Sequence, residues 1–527
     1  MKKISWHEPL ALFDVAQTRQ LESMGSARVG SGPSLMAQAG LAVAKLALAL
    51  KPFAPCYWIY CGPGNNGGDG LEAATHLQQW GRQVRVVLWQ PDLKRPSDAA
   101  LALAKVHAMG ISVQADLPTK VDAQALCIDA LLGIGLRKAF GEGPLASTLA
   151  STLASTSASS ATHSPNILQS WIDHVYTCGA EVLAVDVPSG LNANTGQFQN
   201  NSATPEPQAS HTLQLLTAKP GCLTAHGRDA CGTLWLETLG CEDLQLAMPA
   251  AASLNAPSPS TAKALHASHK GTFGDVTLIG GEAVEVRGMG MTGAVDLAAS
   301  AALHAGAGRV MACYLTPDGK ASTHAPRLAE IMQRHFSALN LKAGAIVCGC
   351  GGGESVRQVL PQVLQQSQLL VLDADALNAI AKDPWLQELV KQRATRHVST
   401  VITPHPLEAA RLLNCSSADV QNDRLQAAQT LANTLKCTVV LKGSGTVIAE
   451  TGQAPKINFT GNARLATGGT GDVLAGLLGA RLAQGLNAFD AACTAVFEHG
   501  LAADDYQGPT LTAGKLAELI RGPQTAS

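Results

Sequence analysis

A short apolar run that ends in glycines and leads into a helical pattern recurs along this chain, and it restricts the fold more than any other feature. Tyr57-Trp58-Ile59-Tyr60-Cys61 runs into Gly62-Pro63-Gly64-Asn65-Asn66-Gly67-Gly68-Asp69-Gly70, then a helical pattern over residues 71–80, then the apolar run Val84–Leu88. Strand, glycine loop, helix and strand make the βαβ unit of a parallel sheet, whose loop lies at the carboxyl edge where doubly wound sheets bind ligands. The spacing is neither a dinucleotide GxGxxG nor a P-loop, because no Gly-Lys-Ser/Thr follows. Two further strand ends aim polar groups at the same edge. Ala125-Leu126-Cys127-Ile128-Asp129 runs into a second glycine turn, Gly133-Ile134-Gly135-Leu136-Arg137-Lys138-Ala139, and Glu181–Val185 ends in Asp186-Val187-Pro188-Ser189-Gly190. Asn66, Asp129 and Ser189 offer hard oxygens to a monovalent or divalent cation, and Arg137 and Lys138 face a ligand phosphate. Asp186 is the candidate for acid–base work. An Asp that closes a strand also serves as the cap of the next helix, and that plain alternative stands beside each assignment.

The alternation returns after residues 247–264, whose Pro, Ala and Ser content reads as a linker. The expected division is therefore a first domain over 1–246, the linker, and a second domain over 265–527. In the second half, strand-like runs end in Gly349-Cys350-Gly351-Gly352-Gly353, in Asp373-Ala374-Asp375, in Pro404-His405-Pro406-Leu407-Glu408 and in Lys442-Gly443-Ser444-Gly445-Thr446. A small-residue helix begins at Gly293-Ala294. Every strand delivers Gly, Asp, His or Lys to one edge, which describes a nucleotide-sized crevice. Taken alone, His405 reads as a capping or exposed residue and Lys442 as a surface lysine.

Thr467-Gly468-Gly469-Thr470-Gly471-Asp472 then opens a helix. Three glycines in this short stretch let backbone N–H groups converge, and the unpaired amides of a first helical turn favour an anion. A carboxylate there repels phosphate, so Asp472 makes sense if it removes a proton from an attacking hydroxyl in phosphoryl transfer. The plain alternative is an N-cap.

Composition narrows the partners. The chain of 527 residues carries a formal charge of −2 without a basic cluster, so small molecules are expected rather than nucleic acid or a membrane surface. Its thirteen cysteines contain no CxxC, and Cys348 and Cys350 have no further Cys or His at ligand spacing, which argues against a zinc knuckle. Scattered thiols and a start without an apolar signal core point to a cytoplasmic protein. Residues 147–160 and 202–210 read as surface insertions.

Together these motifs resemble the bifunctional NAD(P)H-hydrate repair enzymes. The first resemblance rests on residues 64–70, 129–137, 185–191 and Lys219-Pro220-Gly221. The second rests on His269-Lys270-Gly271-Thr272-Phe273-Gly274, the glycine turn from Gly349, residues 373–378, Thr403-Pro404-His405-Pro406, Lys442-Gly443 and residues 466–476. The resemblance implies an N-terminal Rossmann-like epimerase and a C-terminal ribokinase-like dehydratase. It implies hydrated NADH or NADPH on Asn65, Asn66, Gly67, Gly68, Asp69, on residues 133–139 and on Asp186, with K⁺ on Asn66, Asp129 and Ser189. In the second domain it implies hydrated cofactor near Ala294, Gly351, His405 and Asp472, and ADP with Mg²⁺ on Lys442, Gly443, Ser444, Gly445, Thr446 and Gly471. A homo-oligomer is expected.

The chain departs from the family pattern at Ala37-Gln38, at Leu407 within His-Pro-Leu-Glu, at Cys350 where Gly-Pro-Gly is usual, and in a longer stretch over residues 282–290. A ribokinase-type vitamin kinase fused to a nucleotide-binding module is the rival reading. A non-enzymatic first half, acting as a nucleotide-sensing or protein-binding module, is a second.

Overall fold

The computed structural model describes residues 1–30, 32–135, 165–198, 207–256, 266–316, 322 and 324–522. Two units divide the chain: Met1–Ser5 with Leu10–Ala251, and Trp6–Pro9 with Ala252–Ser527. Both are α/β. Leu136, Arg137, Lys138 and Ala139, the insertion over residues 147–160, and residues 202–206 and 257–264 lie outside the described residues.

The strands of the first unit are β1 (Lys2–Lys3), β2 (Ala11–Leu12), β3 (Tyr57–Cys61), β4 (Val84–Leu88), β5 (Ser112–Gln114), β6 (Leu126–Ala130), β7 (Glu181–Val185), β8 (His211–Leu215) and β9 (Thr233–Glu237). Eight of them form one sheet in the order β1-β9-β8-β7-β6-β3-β4-β5, parallel from β9 to β5, with β1 antiparallel at the edge. The winding runs outward from β3 and reverses at β6, so the topological switch point lies between those two strands. Alternate side chains separate the faces. Ile59, Ile128 and Leu183 join the core under the helices Leu35–Leu50 and Asn65–Gln79, while Tyr60, Cys127 and Ala184 face Trp171, Ile172 and Val175 of the helix Pro165–Thr177.

In the second unit β10 (Ala252–Leu254) is followed by β11 (Asp275–Gly280), β12 (Arg309–Tyr314), β13 (Met332–Gln333), β14 (Ala345–Cys348), β15 (Leu369–Leu372), β16 (Ser399–Ile402), β17 (Thr438–Leu441), β18 (Val447–Ala449) and β19 (Lys456–Ile457). The order β13-β12-β11-β14-β15-β16-β17 is parallel throughout, and the switch point falls between β11 and β14. Beyond β17 the sheet turns antiparallel through β18 and β19. Ala345, Val347, Val371 and Val440 pack under the helices Thr292–His304, Thr470–Ala483 and Ala488–Asp504; Ile346, Cys348, Leu370 and Leu441 pack under those on the other face. Three layers result, with the polar turns left at the carboxyl edge.

Two local readings change. The helix after β3 begins at Asn65, not near residue 71, so Asn65, Asn66 and Asp69 lie in its first turns. The glycines there serve close packing rather than loop freedom: a Cβ on Gly67 would stand 1.9 Å from the Gly62 carbonyl oxygen and one on Gly70 2.6 Å from Ala130 Cβ. Within the stretch read as a linker, β10 pairs in parallel with β19, and the following Asn255 is fully buried. Its amide donates to Asn458 Oδ1 and to the Cys493 carbonyl at 2.9 Å each. Among the described residues no helix is long and apolar enough to cross a membrane.

A second-unit fragment starting at Ala252 should therefore be more stable than one starting at His266. The shorter fragment leaves the Asn458 and Cys493 acceptors buried without their donor, a loss of about 1–3 kcal/mol measurable by urea unfolding. Equal stability would detach β10 from the second unit.

Candidate active sites

At the first switch point backbone meets backbone. A Cβ on Gly62 would lie 1.9 Å from the Leu131 carbonyl oxygen, so the turns after β3 and β6 touch only because that residue is glycine. Gly133 lies beside Asn66, its Cβ position 3.1 Å from Asn66 Oδ1, and the Ile134 carbonyl accepts from Arg19 at 3.4 Å. Asp129, fully buried on β6, accepts from Leu131 N at 3.1 Å, Tyr176 Oη at 2.5 Å, Ser189 N at 2.9 Å and Ser189 Oγ at 2.7 Å. Burial raises its carboxyl, and these four donors oppose that rise. No ion pair reaches Asp129 among the described residues, and the Asn66 amide nitrogen is buried without a partner.

Asp186 follows β7 with φ +68°, a left-handed conformation that is uncommon for residues other than Gly, Asn and Asp. The turn throws its carboxylate onto the buried ammonium of Lys219, and Leu215 N donates to it at 3.1 Å. Lys219 is itself fixed by donating to the Leu215 carbonyl at 2.7 Å. Around this pair stand two more acids. Glu22 and Asp69 both titrate above the ordinary carboxylate range, first because of burial and then because the Asp186 charge is close. Asn65 donates to Glu22 at 3.4 Å.

The second switch point repeats the close approach. A Cβ on Gly280 would stand 2.2 Å from the Cys350 carbonyl oxygen, Gly281 N donates to that oxygen at 2.9 Å, and Glu282 N donates to Gly351 O at 2.7 Å. Gly351 and Ala294 touch, the Cβ position of the first lying 2.9 Å from Cβ of the second. Successive strand ends then build one polar cluster. Asp373 Oδ1, after β15, accepts from Thr403 Oγ1 and from Lys442 Nζ at 2.7 Å each. Ala374 beside it has φ +48°, which holds Asp373 toward the crevice while Asp375 Oδ2 accepts from Gly353 N at 2.9 Å. Gly471 lies against Lys442, its Cβ position 3.4 Å from Nζ.

The helix of Asp472 begins at Thr470 with Gly469 as N-cap, and no side chain caps it. Asp472 is thus not a cap, and its carboxylate is free for chemistry. Burial, then the Asp373 charge, pushes it up to about 7, against the pull of Cys350 and Lys442. His405 does cap: its Nδ1 accepts from Leu407 N and Glu408 N, while Glu408 returns the bond to His405 N, and Nε2 lies 3.2 Å from Glu408 Oε1. Gly443, Ser444, Gly445 and Thr446 form the β17–β18 turn, with Thr446 Oγ1 donating to Gly443 O at 3.1 Å. Arg424, buried behind the turn, donates to Leu441 O and Lys442 O.

Some residues of these clusters carried no individual signal. Lys219 enters the sequence reading only within Lys219-Pro220-Gly221, with no role attached, and Glu22 and Tyr176 sit in helices with nothing local to single them out. His499, buried, donates from Nε2 to the Thr470 carbonyl at 2.9 Å; burial holds it to about 4, so it stays neutral behind the glycine turn.

Two largely parallel sheets, each with convergent acids, an ion-paired lysine and a glycine turn at its switch point, define a two-domain α/β enzyme that works on nucleotide-sized ligands. The family described as NAD(P)H-hydrate dehydratase matches residues 276–521, and the YjeF-related protein N-terminus matches residues 32–221. A bifunctional NAD(P)H-hydrate repair enzyme of Escherichia coli is 34% identical, covering 92% of this chain and 87% of its own; that of Coxiella burnetii is 33% identical, covering 93% and 94%. An ADP-dependent (S)-NAD(P)H-hydrate dehydratase of Neisseria meningitidis is 40% identical over 48% of this chain and 83% of its own. A solved Bacillus subtilis ADP/ATP-dependent NAD(P)H-hydrate dehydratase is 29% identical with a TM-score of 0.41, covering 50% of this chain and 93% of that one. The chain belongs to the bifunctional NAD(P)H-hydrate repair enzymes, with an epimerase domain followed by a dehydratase domain.

The raised Asp472 carboxyl has a stability signature. An ordinary Asp titrates near 3.8, so between that pH and about 7 the folded protein holds a proton that the unfolded chain has lost. Stability therefore falls as pH rises through this window. Asp472→Asn should raise stability at pH 8 by about 2 kcal/mol, discounted for partial exposure, and the gain should vanish toward pH 4. A gain independent of pH in urea melts would show that the carboxyl is not raised.

Proposed function

We propose that Asp186 and Asp472 are the proton-moving groups of the two reactions. The reading rests above all on Asp472: it stands in the first turn of a helix it does not cap, beside the Lys442–Asp373 pair, with its carboxyl held to about 7. A base with that affinity is ionised near neutrality yet strong enough to take a hydroxyl proton. Hydrated NAD(P)H bears a hydroxyl on its reduced ring, and hydroxide is a poor leaving group. With the hydroxyl proton on Asp472 and the transferred phosphoryl against the Gly469–Gly471 amides, the oxygen becomes a phosphate ester. The phosphoryl bond to AMP breaks as the ester forms; phosphate then leaves with the ring C–O bond while the neighbouring ring carbon gives up a proton, which restores the double bond of NAD(P)H and leaves AMP and phosphate.

In this reading the adenine nucleotide lies on Lys442, Gly443, Ser444, Gly445, Thr446 and Gly471, and the hydrated cofactor near Ala294, Gly351 and His405. The contact of Gly351 with Ala294 and of Gly471 with Lys442 supports one continuous crevice. Mg²⁺, met through water near Glu408, would neutralise the phosphate charge. In the first domain, Asp186 with Lys219 moves the proton that interconverts the R and S forms, and the substrate spans Asn65, Asn66, Gly67, Gly68, Asp69 and the turn from Gly133. K⁺ among Asn66, Asp129 and Ser189 would balance a buried carboxylate that has no ionic partner among the described residues.

Hydrated NADH supplied as an R plus S mixture with ADP and Mg²⁺ separates the two sites. Asp472→Asn should restore neither form while still equilibrating R with S. Asp186→Asn should restore S in a burst and leave R to a slow tail. Loss of a general base typically costs about 10²–10⁴ in rate, so both patterns are easily seen; near-normal dehydration by Asp472→Asn would remove it as the base. The kcat/KM of dehydration should also fall about tenfold per unit below pH 7, as Asp472 takes its proton.

Epimerisation should be faster in potassium than in a bulky organic-cation buffer, and Asp129→Ala should abolish the difference. Equal rates in both buffers would eliminate the cation site.

A further inference from the structure

One side chain of the second site has no part in the reaction so far described. Cys350, 2% exposed, directs its Sγ at Asp373 Oδ2 across 3.8 Å. Its sulfur and one carboxylate oxygen each from Asp373 and Asp472 all lie within 4.8 Å of one another. Among the described residues this is the one trio of potential metal ligands brought so close. Three separate elements supply it: the turn after β14, the tip of β15 and the first turn of the helix Thr470–Ala483.

The distances suit a shared ion. With Zn–S of about 2.3 Å and Zn–O of about 2.1 Å, a tetrahedral angle sets sulfur and oxygen about 3.6 Å apart. The Cys350–Asp373 separation of 3.8 Å is already close to that, and a carboxylate oxygen of Asp472 lies within 4.8 Å of both. Asp373 also has an oxygen to spare: Lys442 and Thr403 occupy Oδ1, while Oδ2 is the one facing the thiol. Two carboxylates share a single ammonium there, so the pocket lacks positive charge. A dication supplies it and takes the place of the thiol proton.

The sulfur decides which ion. Mg²⁺ requires an octahedron of oxygens and gains nothing from a thiolate, whereas Zn²⁺ and Cd²⁺ favour one. We propose that Cys350, Asp373 and Asp472 form a binding site for a thiophilic divalent cation, distinct from the Mg²⁺ that accompanies the nucleotide. Three protein ligands leave a fourth position for water. If Asp472 is the base, as proposed above, an ion held there occupies the oxygen that must accept the proton. Dehydration then stops.

The test uses the full-length protein titrated with Cd²⁺ and followed by the thiolate-to-cadmium charge-transfer absorbance. Cys350→Ser keeps the shape and removes the soft ligand; Cys350→Pro serves if the serine variant does not fold. Because thirteen cysteines are present, the quantity read is the difference between each variant and wild type. The wild type should show one more tightly bound, thiolate-ligated Cd²⁺. Its dehydration should be inhibited at concentrations lower by at least the roughly 10–100-fold that even an outer-shell change costs, each rate taken relative to that protein's own uninhibited value. No Cys350-dependent band overturns the site. Inhibition that excess Mg²⁺ abolishes overturns it as well, since the ion would then sit on the nucleotide. A Cys350-dependent band without loss of dehydration leaves the site standing and removes Asp472 as the base.

Discussion

Both crevices depend on backbone packed against backbone where each sheet reverses its winding. At that point the chains leaving two neighbouring parallel strands part to opposite faces, and the gap becomes a binding site only if their turns meet beneath it. Gly62 against Leu131 and Gly280 against Cys350 make those contacts, with no room for a Cβ at either glycine. A side chain there would push apart the turns that carry Asn66 and Gly133 in one unit, and Gly351 with its neighbour Ala294 in the other. The geometry of every polar group described above is downstream of that approach.

The charges follow a common scheme built from different parts. Each site buries one Lys–Asp pair, Lys219 with Asp186 and Lys442 with Asp373. Each then sets further carboxyls nearby, Glu22 and Asp69 in the first unit and Asp472 in the second, raised first by burial and then by the charge of the neighbouring Asp186 or Asp373. Low dielectric makes a single ammonium insufficient for two carboxylates, so one of them binds a proton more tightly. That imbalance works against stability and in favour of acid–base function. The backbone at Ala374, at φ +48° and ψ −114°, belongs to the same account, because so rare a conformation persists only where the surroundings over-determine it.

The motifs show how much of this was legible in the chain. Short apolar runs ending in glycine or aspartate place the strands and their carboxyl edges; Asp129, Asp186, Asp373 and Lys442 occur at such ends, and Asp472 at a glycine turn that opens a helix. Two misplacements share one cause. Gly67, Gly68 and Gly70 look like loop in sequence but lie in a helix, since glycine signals either freedom or close approach and only neighbours such as Gly62 and Ala130 tell which. Ala252–Leu254 looks like linker because a three-residue strand has no period to detect, yet β19 pairs with it.

By itself the sequence determined the two α/β halves, the edge at which chemistry gathers and the family to which the chain belongs, because strand, turn and helix signals are local and repeat. Tertiary structure alone decided the partnerships. Lys219 meets Asp186 across 33 residues, Ser189 meets Asp129 across 60, and Lys442 meets Asp373 across 69. Nothing local encodes such pairs, for their energies arise only once the sheet has closed and water has left. The same holds for Cys350, which has no further Cys or His at ligand spacing in the chain and becomes a candidate ligand only when β14, β15 and the helix from Thr470 bring two carboxylates to it.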